Sequence, residues 1–229
     1  MKVATQNIRC KPPMPEPHVK HDVQATAKEA TLIGWQEIGT ETYKEQIGNL
    51  APTFQSYIPS SQPVSWVLRN WEVVDKGRYM LHRARPGVHA SRWIVWVLFR
   101  HKKSKRLMIF HNTHYIAHAK AGRPGSAKYR SEVWEAGNQR HRNLIDLWVR
   151  KGYAVIGTGD FNKRLTPVVG VEVRGKRVRY LTPPNVIDKI FCIDGRGSHF
   201  DATSSIVLTP RYSDHVGRMA IIKLRSGQS

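Results

Sequence analysis

Hydrophobic and polar positions follow two periods along this chain. Short apolar runs bounded by turn residues read as strands: 2–8, Thr31-Leu32-Ile33-Gly34-Trp35, 64–68, 72–75, 79–83, 93–99, 107–113, 153–158, 174–181, 187–193, 200–208 and 216–224. The strands at 93–99 and 107–113 are joined by the basic turn 101–106. A four-residue period replaces the shorter one at 18–30, where Val19, Val23 and Ala27 share a face and predict a helix. A second helix is predicted over 42–50. The longest, 129–151, carries Val133, Gly137, Leu144, Leu147 and Trp148 on one side and is stopped by Gly152. Pro12, Pro13, Pro15 and Pro17 mark a loop, and 117–127 is a Gly/Pro/Lys loop. Many strands with three helices, each between strands, predict two packed sheets with helices on their outer faces. Periodicity leaves the strand pairing open.

With 229 residues and no linker-like stretch or repeat, the chain reads as one large domain, 1–229. The formal net charge of +20 narrows the partners to polyanions: nucleic acid first, an anionic membrane or an inositol phosphate second. Cys10 and Cys192 form no disulfide framework. The chain opens on a strand-like run rather than a signal peptide, and no apolar run approaches the ~20 residues that span a bilayer. A soluble, cytoplasmic monomer without membrane insertion is expected.

Candidate chemistry sits at the ends of separate apolar segments. Asn7 ends the first strand in Asn7-Ile8-Arg9, Gln36-Glu37 follows another, and His114 ends a third. Gly159-Asp160-Phe161-Asn162, Asp188 and Ser213-Asp214-His215 complete the set. A carboxylate beside an apolar run is costly unless a cation, a hydrogen bond or solvent compensates it. Several such sites suggest strand ends converging on a metal and a phosphate. A hard cation such as Mg²⁺ takes oxygen ligands, one or two carboxylates with water and phosphate. Alternation puts Asp160 and Asn162 on one side of an extended chain. The tryptophans at 66, 71, 93, 96, 134 and 148 lie in apolar segments and read as core. Most other histidines, His82 and His141 among them, read as structural or exposed, and His111 is the strand neighbour of His114.

In this order, from residue 3 to about residue 224, these motifs resemble the endonuclease/exonuclease/phosphatase superfamily, the deoxyribonuclease I-like enzymes. The resemblance implies an α/β fold, a four-layer α/β/β/α sandwich of two packed mixed β-sheets flanked by helices. It implies a Mg²⁺-dependent phosphodiesterase, with Mn²⁺ as substitute, most simply a nuclease on DNA or RNA. Inositol phosphates or anionic lipids are the alternative substrates. In that pattern Glu37 is the principal metal ligand, with Asn7 and Asp214. Asp160 and Asn162 hold the attacking water and a phosphate oxygen, and Asp188 orients His215, fixing its tautomer. His114, protonated, donates to the scissile phosphate. Arg92 stands where a phosphate-contacting arginine occurs. Lys120, Arg123, Lys163, Arg164 and Arg177 belong to basic loops framing the site as substrate contacts. Two departures are visible. The glutamate that supports the first histidine in the deoxyribonuclease branch has Gln62 as its nearest match. The Trp-Cys-Asp-Arg run of the inositol phosphatases is replaced by Val186-Ile187-Asp188-Lys189.

Overall fold

Strand alternation sorts the apolar residues into three separate layers of core. The computed structural model describes residues 1–9, 12–118, 127–164, 168–208 and 212–226. In chain order its elements are β1 (Lys2–Asn7), α1 (Glu16–Glu29), β2 (Leu32–Gln36), α2 (Glu41–Gly48), β3 (Gln55–Tyr57), β4 (Val64–Trp66), β5 (Trp71–His82) and β6 (Arg92–His101). There follow β7 (Leu107–His114), α3 (Ala127–Arg150), β8 (Ala154–Asp160), β9 (Glu172–Val173), β10 (Lys176–Arg177), β11 (Arg179–Tyr180), β12 (Asp188–Ile193), β13 (Ser198–Ala202), β14 (Ile206–Val207) and β15 (Arg218–Ser226). One sheet runs β13-β15-β1-β2-β4-β3, with β14 also on β15; the other runs β11-β12-β8-β7-β6-β5. Both are mixed: β1–β2 and β7–β8 are parallel, their neighbours antiparallel.

Val3, Leu32, Val95, Val97, Met108, Phe110, Ile156 and Ile190 fill the layer between the sheets. The alternate positions Ala4, Ile33 and Trp35 face outward onto Val19 and Val23 of α1 and Tyr43 and Ile47 of α2. Ile109, Val155, Phe191 and Ile193 face α3, against Trp134, Ile145 and Trp148. The α/β/β/α sandwich expected from the sequence is the fold observed. The sheets approach closely at Gly34, where a Cβ would collide with the side chains of Thr158 and Asn112.

Four expectations are corrected. The strands expected at 72–75 and 79–83 are one edge strand, β5, continuous across Lys76-Gly77-Arg78 because β6 pairs with it throughout, with irregularities after Val73 and Met80. The strand expected at 200–208 is split: Ser205 N–H leaves the ladder for the Leu181 carbonyl, 2.6 Å away, so β13 and β14 pair with different parts of β15. The run 174–181 holds two short strands, β10, which forms a small hairpin with β9 just before it, and then β11. Helix α1 starts at Glu16, ahead of the expected His18, since Pro17 sits in its first turn, where a missing N–H costs nothing. Cys192 is buried and Cys10 lies outside the described residues. Among the described residues no helix is long and apolar enough to cross a membrane.

Candidate active site

The residues facing between the sheets change character along the strands. On β7 the inward positions run Met108, Phe110, Asn112, His114; on β8 they run Ala154, Ile156, Thr158, Asp160. Each row passes from apolar through hydrogen-bonding to ionisable. The middle step is a polar seam joining the sheets. Gln36 Nε2 donates to Asn112 Oδ1 at 2.6 Å, and Asn112 Nδ2 donates to the Trp35 carbonyl at 2.6 Å. Thr158 Oγ1 donates to Asn112 Oδ1 at 3.2 Å. At the end of the rows the ladder sets His114 beside Asp160, and Asp160 beside Asp188.

Asn7 is the hub of that end. Its Nδ2 donates to Glu37 Oε1 and to Asp160 Oδ2, both at 3.2 Å, and its Oδ1 accepts the Arg9 N–H at 2.9 Å. His114 Nε2 lies 3.5 Å from Asp160 Oδ2. His215 Nδ1 is hydrogen-bonded to Asp188 Oδ2 at 3.0 Å and lies 3.8 Å from Asp160 Oδ2. Asn162 turns back: its N–H donates to Asp160 Oδ1 at 2.9 Å and its Nδ2 to the Tyr115 carbonyl at 3.1 Å. Arg9, Glu37 and Asn162 adopt φ of 47°, 64° and 53°. Left-handed backbone at non-glycine residues costs about 1–3 kcal/mol each and gathers where function requires a fixed geometry.

Burial and mutual charge set the protonation pattern. Burial, reinforced by the Asp188 carboxylate, raises the Asp160 pKa to about 7. Burial opposes a charge on His215, but the Asp188 hydrogen bond and the charges of Asp188, Asp160 and Asp214 outweigh it and raise the ring to about 9. His114 is different. Burial, then the charges of Arg92, His215 and His82, hold it well below the usual histidine range. That direction favours a neutral His114 ring, where the sequence reading expects a protonated one. Gln62 does not support it: its side chain bonds to Ser60 and Ser61, and His114 Nδ1 has no hydrogen-bond partner.

The structure brings Asn7, Glu37, His114, Asp160, Asn162, Asp188 and His215 together. Asp214 stands at the rim, 3.6 Å from Arg9 Nε. Arg92 opens β6 opposite His82 and acts on His114 through its charge. Lys163 is tied to α3, its Nζ 2.6 Å from Glu135 and 4.0 Å over the Trp134 ring. Arg164 is exposed after Asn162. Arg177 lies on the β9–β10 hairpin, which Arg174 fastens to Asp146 of α3 at 2.6 Å. Lys120 and Arg123 lie outside the described residues.

Two functional supports escape the sequence reading. Asp22, fully buried on α1, accepts the N–H groups of Tyr212 and Ser213 at 3.1 and 2.9 Å, and Ser213 Oγ donates to the Asn7 carbonyl at 2.7 Å. Together they seat the loop that carries His215. The signal was present: an aspartate beside Val19 and Val23 on the buried stripe. Tyr115 is the other support. Its backbone holds Asp160 and Asn162, and its hydroxyl is anchored on His141 Nδ1 at 2.9 Å. No sequence pattern pairs those two residues.

No protein-family model matches the sequence, and no curated protein matches it. Solved structures do. An endonuclease/exonuclease/phosphatase from Bacteroides vulgatus aligns over 98% of both chains, with a TM-score of 0.74 and 16% identity. A mannosyl-6-phosphatase from Bacteroides thetaiotaomicron covers 97% of this chain and 99% of its own, with a TM-score of 0.71 and 16% identity. D. rerio TDP2 complexed with single strand DNA product covers 97% and 98%, with a TM-score of 0.67 and 13% identity. The chain thus has the fold of the endonuclease/exonuclease/phosphatase superfamily. Identities this low carry the fold and nothing of the substrate.

Proposed function

We propose that this protein is a Mg²⁺-dependent phosphodiesterase, a nuclease hydrolysing DNA or RNA. The observation that carries the reading is an inward-facing cluster of carboxylates, imidazoles and an amide at one end of a two-sheet sandwich whose net charge is +20. The donor set fits a hard divalent cation. Asp160 and Asp188 crowd one another, Asp188 Oδ1 is buried without a hydrogen-bond partner, and Glu37 is bridged to Asp160 through Asn7. Glu37 with Asn7 would hold Mg²⁺ or Mn²⁺, which when bound neutralises charge building on the phosphate.

The chain's own groups divide the remaining work. Asp160, with its raised proton affinity and its place between His114 and His215, is suited to hold the attacking water and take its proton. His215, kept charged by Asp188, pairs with a phosphate oxygen. Asn162 fixes the Asp160 carboxylate through its N–H while its own amide is held on the Tyr115 carbonyl, and neutral His114 donates a hydrogen bond without adding charge. Excess positive charge at the rim holds the polyanion through its phosphates. A phosphomonoesterase is the competitor, since one structure of similar fold is a mannosyl-6-phosphatase.

A substrate panel tests the reading: plasmid, linear duplex, single-stranded DNA, RNA and inositol phosphates, each with Mg²⁺ and with EDTA. Nucleic-acid cleavage lost in EDTA is expected. Glu37→Gln should fold normally and turn over at least about 10²-fold more slowly, because charge stabilisation in the transition state is weakened. Full activity in EDTA, or turnover confined to inositol phosphates, removes it.

A further inference from the structure

The loop that carries His215 presents apolar side chains on both sides of it. Tyr212 precedes Ser213-Asp214-His215 and Val216 follows, and each is 53% exposed. One exposed apolar residue is ordinary. Two that bracket a site residue give the anion-binding end an apolar border. The Tyr212 Cα stands at most about 11 Å from that of His215, the reach of three extended residues. Stacked nucleotides rise about 3.4 Å each, so the tyrosine lies within a few nucleotides of a phosphate at His215. Between them Asp214 is offset by Arg9 Nε at 3.6 Å, which lessens its repulsion of a polyanion.

Tyr212 is held in place although it is exposed. Its N–H donates to Asp22 Oδ1 at 3.1 Å, and the other oxygen of that buried carboxylate takes the Ser213 N–H at 2.9 Å. Its ring lies parallel to that of His18, with centroids 3.8 Å apart and 3° between the planes. The His21 ring makes an edge contact with it at 5.0 Å, and His21 Nδ1 is itself hydrogen-bonded to Asp22 Oδ1 at 3.0 Å. One aspartate thus fixes the tyrosine backbone and one of the two imidazoles that steady its ring. Ser213 Oγ ties the same loop to the Asn7 carbonyl at 2.7 Å, so the aromatic stack and the site share one support. A ring set in advance avoids the ordering cost that a mobile side chain adds to binding. An exposed, fixed aromatic beside a phosphate site is what an unpaired base stacks on.

We propose that Tyr212, steadied by His18 and His21, is a stacking platform for an unpaired base of the bound strand, within a few nucleotides of the phosphate at His215. The inference rests on the nuclease reading for its substrate. It adds that the enzyme grips single-stranded segments through a base as well as through the backbone, because a base inside a duplex has both faces covered by its neighbours.

Binding without turnover tests it. The full-length protein is titrated in EDTA, by fluorescence anisotropy, with a short oligodeoxyadenylate and with an abasic oligomer of the same length and charge. Stacking should make the wild type bind the base-bearing oligomer at least about fivefold tighter. Tyr212→Ala should lose that preference and keep its affinity for the abasic oligomer, and Tyr212→Trp should retain both. Circular dichroism checks folding, and the wild-type comparison stands without the variants. Equal affinity of the wild type for the two oligomers, binding of neither, or an unchanged preference in folded Tyr212→Ala overturns the platform. So does a Tyr212→Ala protein weakened equally toward both, which would mean that the ring only positions the loop. A wild type that cleaves nucleic acid but does not distinguish the oligomers loses the platform and keeps the nuclease reading. One that distinguishes them through Tyr212 but cleaves neither DNA nor RNA keeps the platform and loses that reading.

Discussion

His215 and Asp188 share one proton across 3.0 Å, and Asp160 stands 3.8 Å from the same ring nitrogen. Such groups act as a unit. His215→Ala and Asp188→Ala should each lower turnover by about 10²-fold or more, and the double variant should be little worse than either single one. Steady-state kinetics of the three variants measure the coupling, and losses that multiply would mean Asp188 does not work through His215. The buried histidines behave differently. His111 is fully buried with neither ring nitrogen bonded, and burial followed by the His141 charge holds it well below the usual range. His141 is pushed down to about 3 by burial alone. An unfolded chain binds protons these rings refuse, so the stability they confer is full above the ordinary pKa of 6.5 and fades as pH falls through the folded values. His111→Phe, which sacrifices no hydrogen bond, should therefore lose less stability than the wild type between pH 7 and pH 5. Urea midpoints at the two pH values decide it, and equal losses would show that His111 is not the acid-sensitive group. His215 carries the opposite sign. Its contribution is full below 6.5 and is lost as pH rises through about 9.

At the scale of elements, the polar seam fixes how one sheet sits on the other. Asn112 satisfies Gln36, Thr158 and the carbonyls of Trp35 and Pro63. Asn112→Ala would strand several buried polar groups at about 1–3 kcal/mol each, so a loss near 3 kcal/mol is expected in urea denaturation. A loss below ~1 kcal/mol would show that the seam contributes little to docking. This seam was not legible in the sequence, where Thr5, Gln36, Asn112 and Thr158 are ordinary polar residues at alternating strand positions. The strand-end residues were legible because a carboxylate or imidazole closing an apolar run is unusual in itself. Pairing is long-range, so neither the continuity of β5 nor the split between β13 and β14 left a local mark. The neutral state of His114 also depends on neighbours, Arg92, His82 and His215, brought in from three other segments.

For the molecule as a whole, charge is the dominant surface property, and salt reads it out. If the rim follows a nucleic-acid backbone, log K should fall with log salt at roughly −0.9 per phosphate on duplex or about −0.7 on single strands. Binding titrations of His215→Ala at several salt concentrations should give a steep slope. Arg92→Ala combined with Arg164→Ala should flatten it by about two contacts' worth and weaken all sequences alike. A flat slope on both DNA and RNA would contradict the assignment of the basic rim to phosphates.

The cluster draws Asn7 and Glu37 from one sheet and His114, Asp160 and Asp188 from the other, and His215 precedes β15, which pairs with the first strand. No single sheet holds the complete set. During synthesis, then, the growing chain carries all but one of the required groups and still lacks the one that comes last. The site is therefore complete only once His215 has emerged and β15 has closed on β1.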